Sequence, residues 1–121
     1  MKFMTLVKTS SASKATTGPT PALFEGIMRL GAEAGPALVE QGGLLPIEKG
    51  ATVTLADGEV RIIDGPFSES KEWVGGYAVY DVASKAEAIE WARRFLDLHK
   101  QFWPGWEGDV EVRQIMQQPG Q

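Results

Sequence analysis

Ala56-Asp57-Gly58-Glu59 separates two β-rich runs, Thr52-Val53-Thr54-Leu55 and Val60-Arg61-Ile62-Ile63. An Asp-Gly pair between such runs fits a tight turn whose two central residues both need positive φ. The segment commits the chain to an antiparallel hairpin, and so to antiparallel sheet structure. Lys2-Phe3-Met4-Thr5-Leu6-Val7-Lys8 reads as an opening strand. Residues 73–82 and 110–116 read as two more.

Helices fall between these strands. Thr20 followed by Pro21 is a helix start, with Thr as N-cap and Pro at the first helical position. Leu23, Ile27, Leu30, Ala34 and Leu38 keep helical spacing and mark one buried face. Pro36 should kink this helix and Gly42-Gly43 end it. Leu44-Leu45-Pro46-Ile47 is then a short extended piece. Ser84 with Glu87 three residues on forms a capping box for a second helix. Its core face carries Ala88, Ile89, Ala92, Phe95 and Leu96, and His99 and Lys100 fall in its last turn, where cations suit the helix dipole. Residues 9–18 are small, polar and without apolar anchors, and predict a mobile loop.

The order predicts an α+β, ferredoxin-like β-α-β-β-α-β domain with an extra hairpin and both helices on one sheet face. The length of 121 residues suits one domain, covering 1–121. In the last strand Val110 and Val112 point one way and Glu111 and Arg113 the other. The helix-free face then carries Glu111, Arg113, Ile115 and one or both of Tyr77 and Tyr80. It is too mixed for a core and too apolar to stay fully wet. A second copy of the chain would cover it, so the expected partner is the chain itself.

Composition excludes several classes. Twelve basic residues against sixteen acidic ones give a net charge of -4, with no basic stripe for nucleic acid. No apolar run approaches the roughly 18 residues of a membrane span. The N-terminal apolar run is too short for a signal peptide and Lys8 interrupts it. With no cysteine as well, a cytoplasmic setting is the expectation. One histidine and no cysteine leave no transition-metal site. Gly75-Gly76 lacks dinucleotide-loop spacing, so no cofactor is expected.

One segment exceeds what hairpin chemistry requires: Asp64-Gly65-Pro66-Phe67-Ser68-Glu69-Ser70-Lys71-Glu72, followed by Trp73-Val74-Gly75-Gly76. It resembles the signature of the YCII-related (DGPF domain) family. The resemblance continues through Ser84 to Ala92 and in Glu111-Val112-Arg113, and more loosely in the opening strand and Gly42 to Pro46. It implies a ferredoxin-like fold that pairs as a dimeric α/β barrel, with a cleft of the kind relatives use for cofactor-independent acid–base chemistry on small organic molecules. It also implies an alternative, an accessory role beside sigma factors that binds a ligand or partner without catalysis. Wider members carry a histidine at the start of the first helix, paired with an aspartate. Here that helix opens Thr20-Pro21-Ala22-Leu23-Phe24-Glu25, so no such dyad carries over.

Asp64, Glu72 and Arg113 lead the candidate catalytic residues. Asp64 is either a base or a turn residue accepting backbone donors. Glu72, with Glu69 and Lys71, is either half of an acid–base pair or part of a solvated cluster. Arg113 either clamps a carboxylate or pairs with Glu111 on its own strand face. His99 reads as a helix-end residue, Trp91 as core, and Trp103 and Trp106 as loop anchors rather than a stacking platform.

Overall fold

The computed structural model describes residues 1–64 and 73–117, with the Trp73 side chain excepted. In chain order these form β1 (Lys2–Thr9), α1 (Pro21–Ala34), β2 (Leu38–Gly43), β3 (Ala51–Ala56), β4 (Glu59–Asp64), β5 (Trp73–Asp81), α2 (Lys85–Phe102) and β6 (Gly108–Gln114). Among the described residues four strands make one antiparallel sheet in the order β2-β5-β1-β6, and β3 pairs only with β4. This is a ferredoxin-like α+β arrangement carrying an additional hairpin. Among the described residues no helix is long and apolar enough to cross a membrane.

Both helices lie on one face. Phe3, Ala78 and Tyr80 of the sheet meet Ala34 of α1 and Ala88 of α2 in the core, with Trp91 and Val112 at its border. Phe3 and Leu23 are the largest side chains with essentially no exposure. The capping residues act as their types require. Thr20 Oγ1 accepts from the Leu23 N–H at 3.2 Å and donates to the Phe102 carbonyl at 2.7 Å, tying the start of α1 to the end of α2. Ser84 Oγ accepts from the Glu87 N–H. The hairpin turn has Asp57 at φ 53 and Gly58 at φ 76, as its sequence requires.

Two expectations need correction. The first helix stops at Ala34, where Gly35 takes φ 56 and returns its N–H to the Gly31 carbonyl. Pro36 sits in a short 3-10 turn, and Leu38 to Gly43, expected to be helical, form edge strand β2. Leu38 kept helical phase with Leu30 and Ala34 but is delivered to the core by a strand. The sheet's second strand is thus β2, and the hairpin stands outside the sheet. Leu44 to Ile47 lead into a second 3-10 turn at Ile47–Lys49.

The loop after β1 differs from expectation as well. Its anchors are polar: Ser10 N–H donates to the Glu107 carbonyl (3.0 Å), Lys14 N–H to the Gly105 carbonyl (2.8 Å), and Trp103 Nε1–H to the Thr17 carbonyl (3.0 Å). It is laced onto the α2–β6 loop although it offers no apolar anchor of its own.

Candidate functional site

Along α2, Ala88, Ala92, Phe95 and His99 recur at spacings of four and three, which places them on one face of the helix. Ala88 is fully buried, Ala92 is 7% exposed and His99 only 5%. At the end of the helix, Trp103-Pro104-Gly105-Trp106 folds back over that face. His99 lies 4.5 Å from the Trp106 ring, 4.7 Å from Phe95 and 6.0 Å from Trp103 by centroid. Trp103 and Trp106 stack at 5.7 Å. Trp106 Nε1–H donates to Thr9 Oγ1 at 3.1 Å, fastening the roof to β1. Gly105, at φ +81, lets the turn lie on the Lys14 backbone, where a Cβ would come within 3.0 Å.

Opposite this roof the sheet is paved with glycine. Gly43 faces Gly76 across the β2–β5 pair, and Gly42 and Gly75 adjoin them. Missing side chains at Gly43 and Gly76 leave room between sheet and helices, while Gly42 lies on the Tyr77 face. The result is a cavity of about 480 Å³ bordered by Thr5 and Val7 of β1, Leu23, Phe24 and Ile27 of α1, Phe95 and His99 of α2, Tyr80, and both roof tryptophans. Pockets that hold small organic molecules run from roughly 300 to 1,000 Å³ and are mainly apolar with a few polar groups. Among the described residues no charged side chain borders this cavity.

His99 is the chemically distinctive group. Nδ1 lies 3.0 Å from the Phe95 carbonyl oxygen. A carbonyl only accepts, so Nδ1 carries the proton and neutral His99 keeps its lone pair on Nε2. No buried polar side-chain atom among the described residues lacks a partner, and Nε2 has none. Nε2 therefore retains open surface, and the open space beside the ring is the cavity. Burial pushes the His99 pKa below the ordinary imidazole range, opposed by the Phe95 carbonyl.

This has a consequence for stability. The unfolded chain takes up the imidazole proton near about pH 6.5, before the folded one does. The contribution of neutral His99 is complete above that pH and is lost as pH falls through the lower folded-state value. The slope is at most about 1.4 kcal/mol per pH unit. Urea midpoints should fall as the pH drops below about 6.5 in the parent protein and stay flatter in His99→Phe. Equal slopes in the two proteins would show that another group titrates.

A second concavity, about 680 Å³, runs between the outer faces of α1 and α2. Its arginines are already engaged: Arg29 pairs with Glu25, Arg94 with Glu33, and Arg93 with Glu90 and Asp97. These are exposed pairs of small individual worth.

Residues 1–97 match the YCII-related domain. The chain belongs to the YCII-related family. A relative from Rhizobium meliloti (strain 1021), itself an uncharacterized protein, is 34% identical over 79 residues, which is 64% of this chain. The match spans 60% of that relative's length.

Within this YCII-related chain neither Asp64 nor Arg113 borders the cavity. Asp64 is exposed at the end of β4, paired across the hairpin with Ala51. Glu72 lies outside the described residues, as does the rest of 65–72. Arg113 is exposed on the helix-free face and donates to Glu111 at 2.9 Å. Glu111 also accepts from Lys8 at 2.6 Å, and these two hydrogen bonds hold its carboxyl below the usual range. Of the tyrosines, Tyr80 faces the helices and stacks on Trp91 at 5.9 Å, while Tyr77 turns to the opposite face, its ring across Gly42. Burial raises the Tyr80 pKa, so its hydroxyl stays neutral.

Proposed function

We propose that this YCII-related protein is a cytoplasmic homodimer that binds a small organic molecule between its helix layer and its sheet. The observation that carries the reading is the cavity itself: an apolar, glycine-floored space under two stacked tryptophans, with one unengaged imidazole nitrogen in its wall. A core built only for stability would be filled with side chains to high density. Nitrogen-labelled protein titrated with neutral aromatic fragments tests it. The indole N–H resonances of Trp103 and Trp106 should move first and together. Shifts confined to the outer helix groove would refute the assignment.

Dimer formation is supported by two unpartnered surfaces. One is the helix-free face, where Met4, Leu6 and Tyr77 are partly exposed beside the Lys8–Glu111–Arg113 chain of charges. The other is the hairpin, whose apolar side chains stay exposed. Acid–base chemistry drawing on Asp64, Glu72 and Arg113 belongs to the same proposal, since a dimer would bring a guanidinium on the sheet face near groups from the second copy. Asp64→Asn and Arg113→Ala should leave fragment affinity within about twofold, as expected of substitutions remote from the bound molecule. A larger loss would move the working site to the dimer interface. The exposed hairpin also favours a second reading, an accessory protein that docks a different chain there; a monomeric parent protein in solution would favour it.

A further inference from the structure

We propose that the molecule held in the cavity is an uncharged, planar compound offering one O–H or N–H donor, a phenol, enol or heteroaromatic N–H, which His99 Nε2 accepts. This rests on the cavity being the binding site. It follows from what the walls offer and what they lack. The Trp103–Trp106 stack and the Phe95 ring present flat π-surfaces, which suit a planar guest. No cation borders the space among the described residues, so a carboxylate or phosphate would be desolvated without a counter-charge.

A wholly apolar guest fails for the opposite reason. It would expel water from Nε2 and leave that acceptor unpaired, a loss of roughly five- to a hundredfold in affinity. Of the other polar side chains that border the space, Gln41, Tyr77 and Tyr80 are uncharged and the two threonines are already engaged. Thr5 Oγ1 donates to the Ala78 carbonyl at 3.3 Å, and Thr9 Oγ1 accepts from Trp106. The acceptor role of Nε2 is fixed by the opposite nitrogen, since Nδ1–H is committed to the Phe95 carbonyl.

The groups that border the cavity support the same charge state. α1 presents Leu23 and Ile27, β1 the neutral Thr5 and Thr9, the roof its two indoles, and β5 the Tyr80 phenol. Arg94 acts on Tyr80 through space, but its guanidinium is paired with Glu33 and lies 4.9 Å over the Trp91 ring. Among the described residues no carboxylate borders the cavity to favour imidazolium.

The test compares three probes of one shape: 4-methylphenol, its methyl ether and 4-methylbenzoate. Each is titrated into nitrogen-labelled protein at neutral pH. The chain has one histidine, so its two imidazole nitrogens are assigned without mutagenesis. The phenol should bind about tenfold or more tightly than the ether, and the Nε2 resonance should shift on binding. That preference should vanish in His99→Phe, and in the parent protein once acidification has protonated His99. If His99→Phe does not fold, the pH series and the Nε2 shift decide alone. Equal affinity for phenol and ether overturns the donor assignment while leaving the cavity as a binding site. Tightest binding by the benzoate, strengthening on acidification, overturns it in favour of an anion on imidazolium. If none of the three moves the roof indoles at millimolar concentration, the cavity reading fails and this proposal with it.

Discussion

Gly108→Ala should lower stability by about 3 kcal/mol, the upper end of what an overpacked site costs, and should unseat the cavity roof at the same time. Gly108 opens β6 opposite Thr9. A Cβ built there would overlap the Lys8 carbonyl oxygen and press on the six-membered ring of Trp106. The first contact is backbone in a paired strand and cannot turn aside. The second is the roof, whose hydrogen bond to Thr9 would be strained or lost. The variant should therefore show a reduced urea midpoint together with altered indole resonances for Trp106. Gly43→Ala is the matched control, because a Cβ there meets nothing within 4 Å. It should be neutral or slightly stabilising through its effect on the unfolded chain. A Gly108→Ala protein as stable as the parent would mean that the β1–β6 register near Thr9 is wrong.

Local signals were the legible ones. The Asp57-Gly58 turn, the Thr20 and Ser84 caps and the outward face of β6 each depend on residues within a few positions of each other, and each forms as its chemistry requires. The missed strand β2 shows where such signals run out. Leu38 stood in helical phase, and Pro36 could equally kink or end a helix. The deciding event was Gly35 adopting positive φ, which spacing does not encode.

The cavity was illegible for a related reason. It is assembled from four strands, both helices and a loop that are distant in sequence, and its floor is defined by side chains that glycine lacks. His99 had a usable signal. It stands seven residues from Ala92 and four from Phe95, on the buried face of α2 rather than merely in its last turn. The dipole argument for a helix-end cation suppressed that reading, although burial opposes the charge the argument needs. The loop of residues 9–18 shows the same limit, since anchors made of backbone amides and serine hydroxyls leave no trace in hydropathy.

Substituting the facing pair Val53 and Ile62 by lysine should convert the protein from dimer to monomer at micromolar concentration. These residues sit opposite each other in the hairpin register, and Leu55 faces Val60 beside them. By alternation all four side chains share one hairpin face, and they are 65%, 73%, 73% and 67% exposed for Val53, Ile62, Leu55 and Val60. The opposite face carries Thr52, Thr54, Arg61 and Glu59, with Ile63 its one large apolar member. A two-stranded hairpin alone is marginal in water, so one that turns its apolar face outward needs a covering surface. The same chain offers one, the helix-free sheet face with the partly exposed Met4, Leu6 and Tyr77. Replacing two aliphatic groups in each chain, covered only in the dimer, by lysines removes at least about 4 kcal/mol of association energy, roughly a thousandfold or more in the dimer constant. Sedimentation of the parent at micromolar concentration should give twice the 13.2 kDa chain mass, and the double variant the chain mass itself with an unchanged urea midpoint for the sheet and helices. A double variant that stays dimeric would put the interface on the helix-free face alone. A parent that sediments as a monomer would leave the hairpin to a different partner.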